Sequence, residues 1–343
     1  MPLRPRRRTS EVVVITGASA GVGRATAHRF ARAGARVALI ARASEALDSA
    51  AQEVRELGGQ ALAIPLDVAD ADAVEAAAER IESELGPIDV WVNAAMATIF
   101  APVSEIRPAE FRRATEVTYL GTVHGTMAAL KRMRSRNRGH VVQVGSALAY
   151  RAIPLQSAYC GAKFAIRGFT DALRVELMHE RCAVGLTMVQ LSAFNTPQFQ
   201  WARTRLAWRP QPVPPIFQPE VAADAIYWAA HHRRRELWVG FPAVKAILGN
   251  ALAPWLADRK LVKQGYSGQM SDQRLPEPRP DNLFKAVHDD YGTHGRFDHR
   301  ARASSPQLWL TTHRPAVVAG ALTMAALVAR RLWGSRRQRG SMR

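Results

Sequence analysis

Short apolar runs, separated by glycines and by longer stretches of helical periodicity, set the pattern of this chain. Glu11–Thr16 (EVVVIT), Arg36–Ala41 (RVALIA), Ala61–Leu66, Asp89–Asn93 (DVWVN), the run opening at Val141, Ala183–Val189 and Glu236–Val239 read as strands. Most are continuous in apolar residues rather than alternating, as strands covered on both faces are. Between them Arg24–Ala33, Ser44–Leu57, Asp70–Leu85, Ala109–Met133 and the segment carrying Tyr159 read as helices. Gly34 ends the first of these helices and Asp70 suits the N-cap of the third. Lys131–Arg138 (KRMRSRNR) reads as a solvated basic helix end. Strand alternating with helix across residues 11–240 predicts an α/β fold: a Rossmann-type, doubly wound parallel sheet with helices on both faces.

The first strand stops at Gly17 and runs through GASAGVG into a helix. Strand, glycine-rich turn and helix in that order form the context in which glycines cradle a dinucleotide. Gly17 permits the tight turn, Gly21 lets the backbone approach a pyrophosphate, and Gly23 lets the helix pack closely. Ser19 and Val22 lie in the same turn, and the helix N-terminus offers free N–H groups to phosphates. The plainer reading is an ordinary βα turn. After the second strand no carboxylate appears until Glu45, whereas Arg42 stands at the strand end. An arginine there suits a 2′-phosphate, so the expected cofactor is NADP(H) rather than NAD(H); the alternative is a solvated side chain.

Val141–Thr170 carries the candidate chemistry. Tyr159 and Lys163 stand four residues apart on one helix face, and Ser146 sits where the preceding strand ends. The set provides a proton donor, an ammonium that favours the ionised phenol, and a hydroxyl to hold a carbonyl oxygen.

Together these residues resemble the short-chain dehydrogenase/reductase family. Its TGxxxGxG pattern falls on Thr16, Gly17, Gly21 and Gly23, and its Ser, Tyr and Lys on Ser146, Tyr159 and Lys163. The resemblance covers about residues 11–240 and implies hydride transfer, with Tyr159 exchanging a proton with the substrate oxygen. It also implies that Lys163 binds the nicotinamide ribose and that Ser146 holds the carbonyl or alcohol. Asp67, followed by Val68 at the close of the third strand, would contact the adenine. Thr196 would bond the nicotinamide carboxamide, although Leu191 and Ser192 replace the family's Pro-Gly ahead of it. The NNAG turn reads Asn93, Ala94, Ala95, Met96, and the helix asparagine of the family's proton relay is Thr118 here. A threonine hydroxyl lacks the amide's separate donor and acceptor. The family also implies a homodimer through the long helices.

Composition refines this picture at the ends. The net charge of +18 is nearly absent from residues 11–230, which carry 23 basic and 21 acidic side chains. Four arginines in residues 1–10, and 20 basic against 8 acidic side chains in residues 231–343, supply the excess. Such tails suit anionic lipid or nucleic acid, but no helix-turn-helix, zinc-finger or RNP pattern favours a specific nucleic acid. Two cysteines without C-x-x-C spacing point to a reducing cytoplasm, with neither disulfide nor zinc framework. His294 and His299 have no convincing ligand set, so no metal is expected.

The expected layout is a basic tail (1–10), a catalytic domain (11–249), a Pro/Gly/Arg-rich extension ordered at most in part (250–312), and an apolar helix with basic tail (313–343). Phe194–Phe217, rich in Phe, Trp and Pro, falls where the family keeps its substrate loop. Its aromatic residues point either to a lipophilic substrate or to packing against the tail. Pro315–Ala329 is uncharged for fifteen residues, short for a span but flanked by arginines and by Trp309 and Trp333, so membrane contact through the C-terminus is expected. The expected activity is NADP(H)-dependent oxidoreduction of a lipophilic alcohol or carbonyl. The competing class is a cofactor-binding regulatory or structural protein with weakened catalysis, motivated by Thr118.

Overall fold

A computed structural model describes residues 10–42, 44–276, 279, 281–319 and 323–324. Seven parallel strands form the central sheet: β1 (Val12–Thr16), β2 (Arg36–Ala41), β3 (Gln60–Pro65), β4 (Val90–Asn93), β5 (His140–Ser146), β6 (Gly185–Leu191) and β7 (Glu236–Val239). Their spatial order is β7-β6-β5-β4-β1-β2-β3. The chain reverses direction across the sheet between β1 and β4, and a crevice at such a switch point is where open α/β sheets bind ligands. Register there is tight, with Thr16 opposite both Ile40 and Asn93. The strand ends carrying Gly17, Arg42 and Ala94 therefore meet at one edge. All five residues of β1 and all seven of β5 are buried, which accounts for the apolar run of β1 and for Val141, Val142 and Val144 in β5.

The helices are α1 (Gly21–Ala31), α2 (Ser44–Glu56), α3 (Ala71–Leu85), α4 (Pro108–Thr115), α5 (Gly121–Ser135), α6 (Ser157–His179), α7 (Pro219–His231), α8 (Phe241–Leu252) and α9 (Pro254–Gln264). One group packs α1 against α2 and α7, the other α3 against α5 and α4 against α6. Asp70 caps α3 as expected, accepting from the Ala73 amide at 3.0 Å. The helix expected over Ala109–Met133 is α4 and α5 joined by a π-helical turn, Glu116–Leu120.

Two expectations change. The basic end of α5 is not all solvated: Arg132 is buried and bonds both oxygens of Glu75 at 3.1 Å. The extension does not start where composition shifts at residue 250, because α8 runs through that boundary. Its residues up to 305 belong to the same compact unit as the sheet. Met270–Arg274 pairs antiparallel with Trp208–Pro210, and Ala301–Arg302 lies parallel to Ile216–Phe217. Leu283 is fully buried within the main core cluster. Residues 306–343 form a second unit, whose described part includes the helix Pro306–Thr312. Most of the apolar run Pro315–Ala329 and the tail after it lie outside the described residues. Among the described residues no helix is long and apolar enough to cross a membrane.

Candidate active site

Ser146 is the last residue of β5, and Tyr159 and Lys163 lie on successive turns at the start of α6. The Tyr159 hydroxyl lies close enough to Ser146 for the two to interact electrostatically, and the Ser146 oxygen accepts the Leu148 amide at 3.1 Å. Burial pushes the Tyr159 phenol pKa up, and the Ser146 contact offsets this only in part. Lys163 is buried and donates to the Val144 carbonyl at 2.7 Å, with its Nζ 5.5 Å from the centre of the Tyr159 ring. Burial pulls the lysine down to about 8. The expected direct tuning of the phenol by the ammonium is thus not the dominant effect in this geometry. What stands here is a protonated phenol beside a serine hydroxyl.

The glycine turn has the shape the sequence suggests. Gly17 and Gly21 have φ of +70° and +56°, and a Cβ on Gly23 would lie 2.1 Å from the Gly17 carbonyl oxygen. Thr16 braces the neighbouring turn, its hydroxyl accepting the Ala94 and Ala95 amides at 3.0 and 3.2 Å. Ala20 at the N-cap of α1 gives no side-chain cap, and the first amide of the helix, that of Gly21, donates to the Gly292 carbonyl at 3.1 Å. Ser19 and Val22 contribute backbone carbonyls to Arg24 and Thr26. Thr196 closes over the turn, within 3.2 Å of where a Gly21 Cβ would be, and its buried hydroxyl has no partner among the described residues. A helix N-terminus without a side-chain cap, beside an orphaned hydroxyl, fits the phosphate and amide groups of a nicotinamide dinucleotide.

At the other end of the crevice the groups already have partners. One Asp67 oxygen accepts the Ala69 amide at 3.0 Å, and the other is paired with Arg113. Arg42 does not stand free for a phosphate: its guanidinium donates to the Asn282 and Leu283 carbonyls of the extension. The Val68 carbonyl meets His124 at 3.0 Å. The Asn93 side chain turns into the core, bonding Trp91, Thr126 and Gln143 between 2.9 and 3.1 Å, so only its backbone is left for a cofactor. Thr118 is fully buried in the π turn and bridges the Ala97 amide and carbonyl at 2.9 and 3.0 Å. Its only proton is therefore committed to the backbone, and the residue ties the helix to the turn after β4.

Sequence reasoning missed Arg24 and Arg113, both of which reach the crevice. Arg24, the first residue after the glycine motif, is buried and bonds Glu53 at 2.7 Å and Asp290. Its place directly after Gly23 was the available signal; for Arg113 there was none, since its partners lie 46 and 170 residues away.

Within Phe194–Phe217, Phe199 and Trp201 pack on the extension, while Phe194 and Phe217 pack on each other. Phe199 meets Phe297 edge-on at 5.9 Å, Trp201 meets Tyr291 at 4.7 Å, and Phe194 meets Phe217 at 6.0 Å. Of the two readings of that loop, packing on the extension is the one observed. His294 pairs with Glu220 at 2.9 Å, and among the described residues no group of three or more ligating side chains gathers.

A seven-stranded, doubly wound sheet with a Ser-Tyr-Lys set at the edge of its switch-point crevice defines a class of oxidoreductase. A family profile described as short chain dehydrogenase matches residues 11–206, and the chain belongs to that family, whose members work with nicotinamide dinucleotides. The "Uncharacterized oxidoreductase YxnA" of Bacillus subtilis is 34% identical over 94% of this chain and 92% of its own length. The "Uncharacterized oxidoreductase Rv1543" of Mycobacterium tuberculosis is 32% identical over 73% of this chain and 72% of its own. The "Estradiol 17-beta-dehydrogenase 11" of Mus musculus is 32% identical over 56% of this chain and 63% of its own. The first match runs far beyond residue 206, so the extension is shared with that relative.

Proposed function

We propose that this chain moves hydride between NADP(H) and the carbon of a lipophilic alcohol or carbonyl compound. The observation that carries this reading is Tyr159 set beside Ser146 and one helical turn before Lys163, the serine ending the strand that precedes their helix. When bound, the nicotinamide supplies or takes up the hydride. Ser146 holds the substrate oxygen, and Tyr159, a protonated phenol, gives that oxygen its proton in the reductive direction. Lys163, which donates to the Val144 carbonyl, would hold the nicotinamide ribose. Gly17, Ser19, Gly21, Val22 and Gly23 cradle the phosphates, Thr196 takes the carboxamide, and Asp67, Val68 and the Asn93 backbone border the adenine. Arg42 favours the 2′-phosphate once its present partners release it.

A lipophilic substrate and a membrane contact are supported by a surface beside the site. Tyr150 and Arg151, in the loop following Ser146, bond Asn250 of α8, and Arg151 also pairs with Asp258 of α9. These two helices expose Phe241, Leu248, Leu252, Trp255, Leu256 and Val262, with Lys245, Arg259, Lys260 and Lys263 among them.

The test is a panel of ketones, aldehydes and secondary alcohols followed by NADPH absorbance. Tyr159→Phe is expected to lower turnover of any accepted substrate at least 100-fold, on the order of a general-acid contribution, while cofactor affinity stays within about twofold. Near wild-type turnover by the phenylalanine variant would remove Tyr159 from the reaction.

A further inference from the structure

We propose that residues 282–292 are a strap seated in the dinucleotide crevice, which the cofactor must displace in order to bind; this rests on the reading of that crevice given above. The strap meets, end to end, the groups assigned to the dinucleotide. At the adenine end Leu283 is fully buried, packed in the cluster that contains Val68 and Val117. Its carbonyl is held by Arg42 and, at 3.1 Å, by Arg113, the arginine that also holds Asp67. The Asn282 carbonyl takes the rest of the Arg42 guanidinium.

At the other end Asp290 places its carboxylate between Arg24 and Ser49, the latter at 2.6 Å, beside the first turn of α1. The Gly292 carbonyl then accepts the Gly21 amide at 3.1 Å. A carboxylate and a carbonyl thus lie at the helix N-terminus, where phosphate oxygens would be favoured for the same electrostatic reason. Beyond them Gly295 lies against Thr196, a Cβ there falling 2.6 Å from the Thr196 carbonyl oxygen.

The Gly21 amide and the Arg42 guanidinium cannot serve the strap and a dinucleotide at once. The strap therefore lowers apparent cofactor affinity by the fraction of molecules in which it is withdrawn. Weakening its hold should raise that fraction. Asp290→Asn is the mild variant, because Arg24 keeps its bond to Glu53, and Leu283→Ala is the stronger one.

The experiment titrates NADPH and NADH into the full chain and both variants, following nicotinamide fluorescence and the association rate. It adds trypsin cleavage after the exposed Lys285 with and without NADPH. Expected are tighter binding, on the order of tenfold for Leu283→Ala, faster association in both variants, and cleavage at Lys285 that NADPH accelerates. Binding that is unchanged or weaker in both variants, or cleavage that NADPH slows, overturns the strap, since the segment would then lie over the cofactor and not in its place. Neither cofactor binding to any of the three proteins overturns the reading of the crevice itself. Binding by the variants but not by the unaltered chain is the strap at full strength.

Discussion

Glu110 has a side chain only 2% exposed, yet three arginines meet it. Burial alone would raise its pKa, but the Arg107 amide at 3.0 Å, with Arg203 and Arg205 each at 2.7 Å, overcomes this and brings it down to about 2. Because the folded value lies below the ordinary 4.5, the stabilisation is complete above about pH 4.5 and is lost as pH falls through about 2. A shift of that size corresponds to at most about 3.4 kcal/mol, and the part-exposed arginines bring the expectation to about 2–3 kcal/mol. Glu110→Gln should lower stability by that amount in urea at pH 7, and the gap between the two proteins should shrink between pH 4.5 and 2. A constant gap across that range would deny the carboxylate its role. The residue was not legible in the sequence, because its partners at 203 and 205 come from a loop with no periodic signal. Ser146, Tyr159 and Lys163 were legible, since short spacing on one strand and one helix fixes how they meet. Thr118 was legible as a departure from the family, but not in what it does, because its partner is the Ala97 backbone.

At the scale of elements, α5 approaches β4 closely at Gly125. A Cβ there would come 2.3 Å from Asn93 Oδ1 and 2.7 Å from Trp91 Nε1, atoms of the fully bonded polar cluster that also holds Thr126 and Gln143. Gly125→Ala must therefore push the helix off the strand or break the cluster. A loss of about 2–3 kcal/mol is expected, the cost of overpacking a tight core. Thermal unfolding checks it, and a neutral result would mean that the helix shifts freely. Gly125 also explains what the hydrophobic pattern could not show. Periodicity locates a helix and its apolar face, but a π turn at Glu116–Leu120 and a glycine contact depend on what stands opposite. Strand positions were read to within about two residues because a sheet covered on both sides writes itself as unbroken apolar runs. The extension wrote no such run. Its order comes from distant pairings such as Arg279, which donates to the Phe199, Gln200 and Ala202 carbonyls at 2.7–3.0 Å.

Over the whole molecule, charge and apolar exposure coincide near the candidate site. Residues 11–230 are nearly balanced in charge, so the +18 excess lies at the ends and in the segment that includes α8 and α9. None of the residues of α9 is buried, and Leu252 and Val262 are 85% and 81% exposed. Arg259 lies over the Trp255 ring at 5.2 Å, so cation and aromatic share one face. Apolar side chains among cations suit an anionic lipid surface, where lysine and arginine reach headgroups while tryptophan and valine enter the interface. The proposed membrane contact could instead run through the C-terminal apolar stretch, and the two routes must be separated. Vesicles of phosphatidylcholine with and without phosphatidylserine should be sedimented with the full chain and with one stopped at Gln307. Both are expected to bind the anionic vesicles and not the neutral ones. In the stopped chain, changing Trp255 and Val262 together to serine should weaken binding about tenfold or more, from the apolar area no longer buried. If the stopped chain does not bind at all, membrane contact belongs to the C-terminal run; if the serine changes have no effect, the basic charge alone draws the protein to the surface.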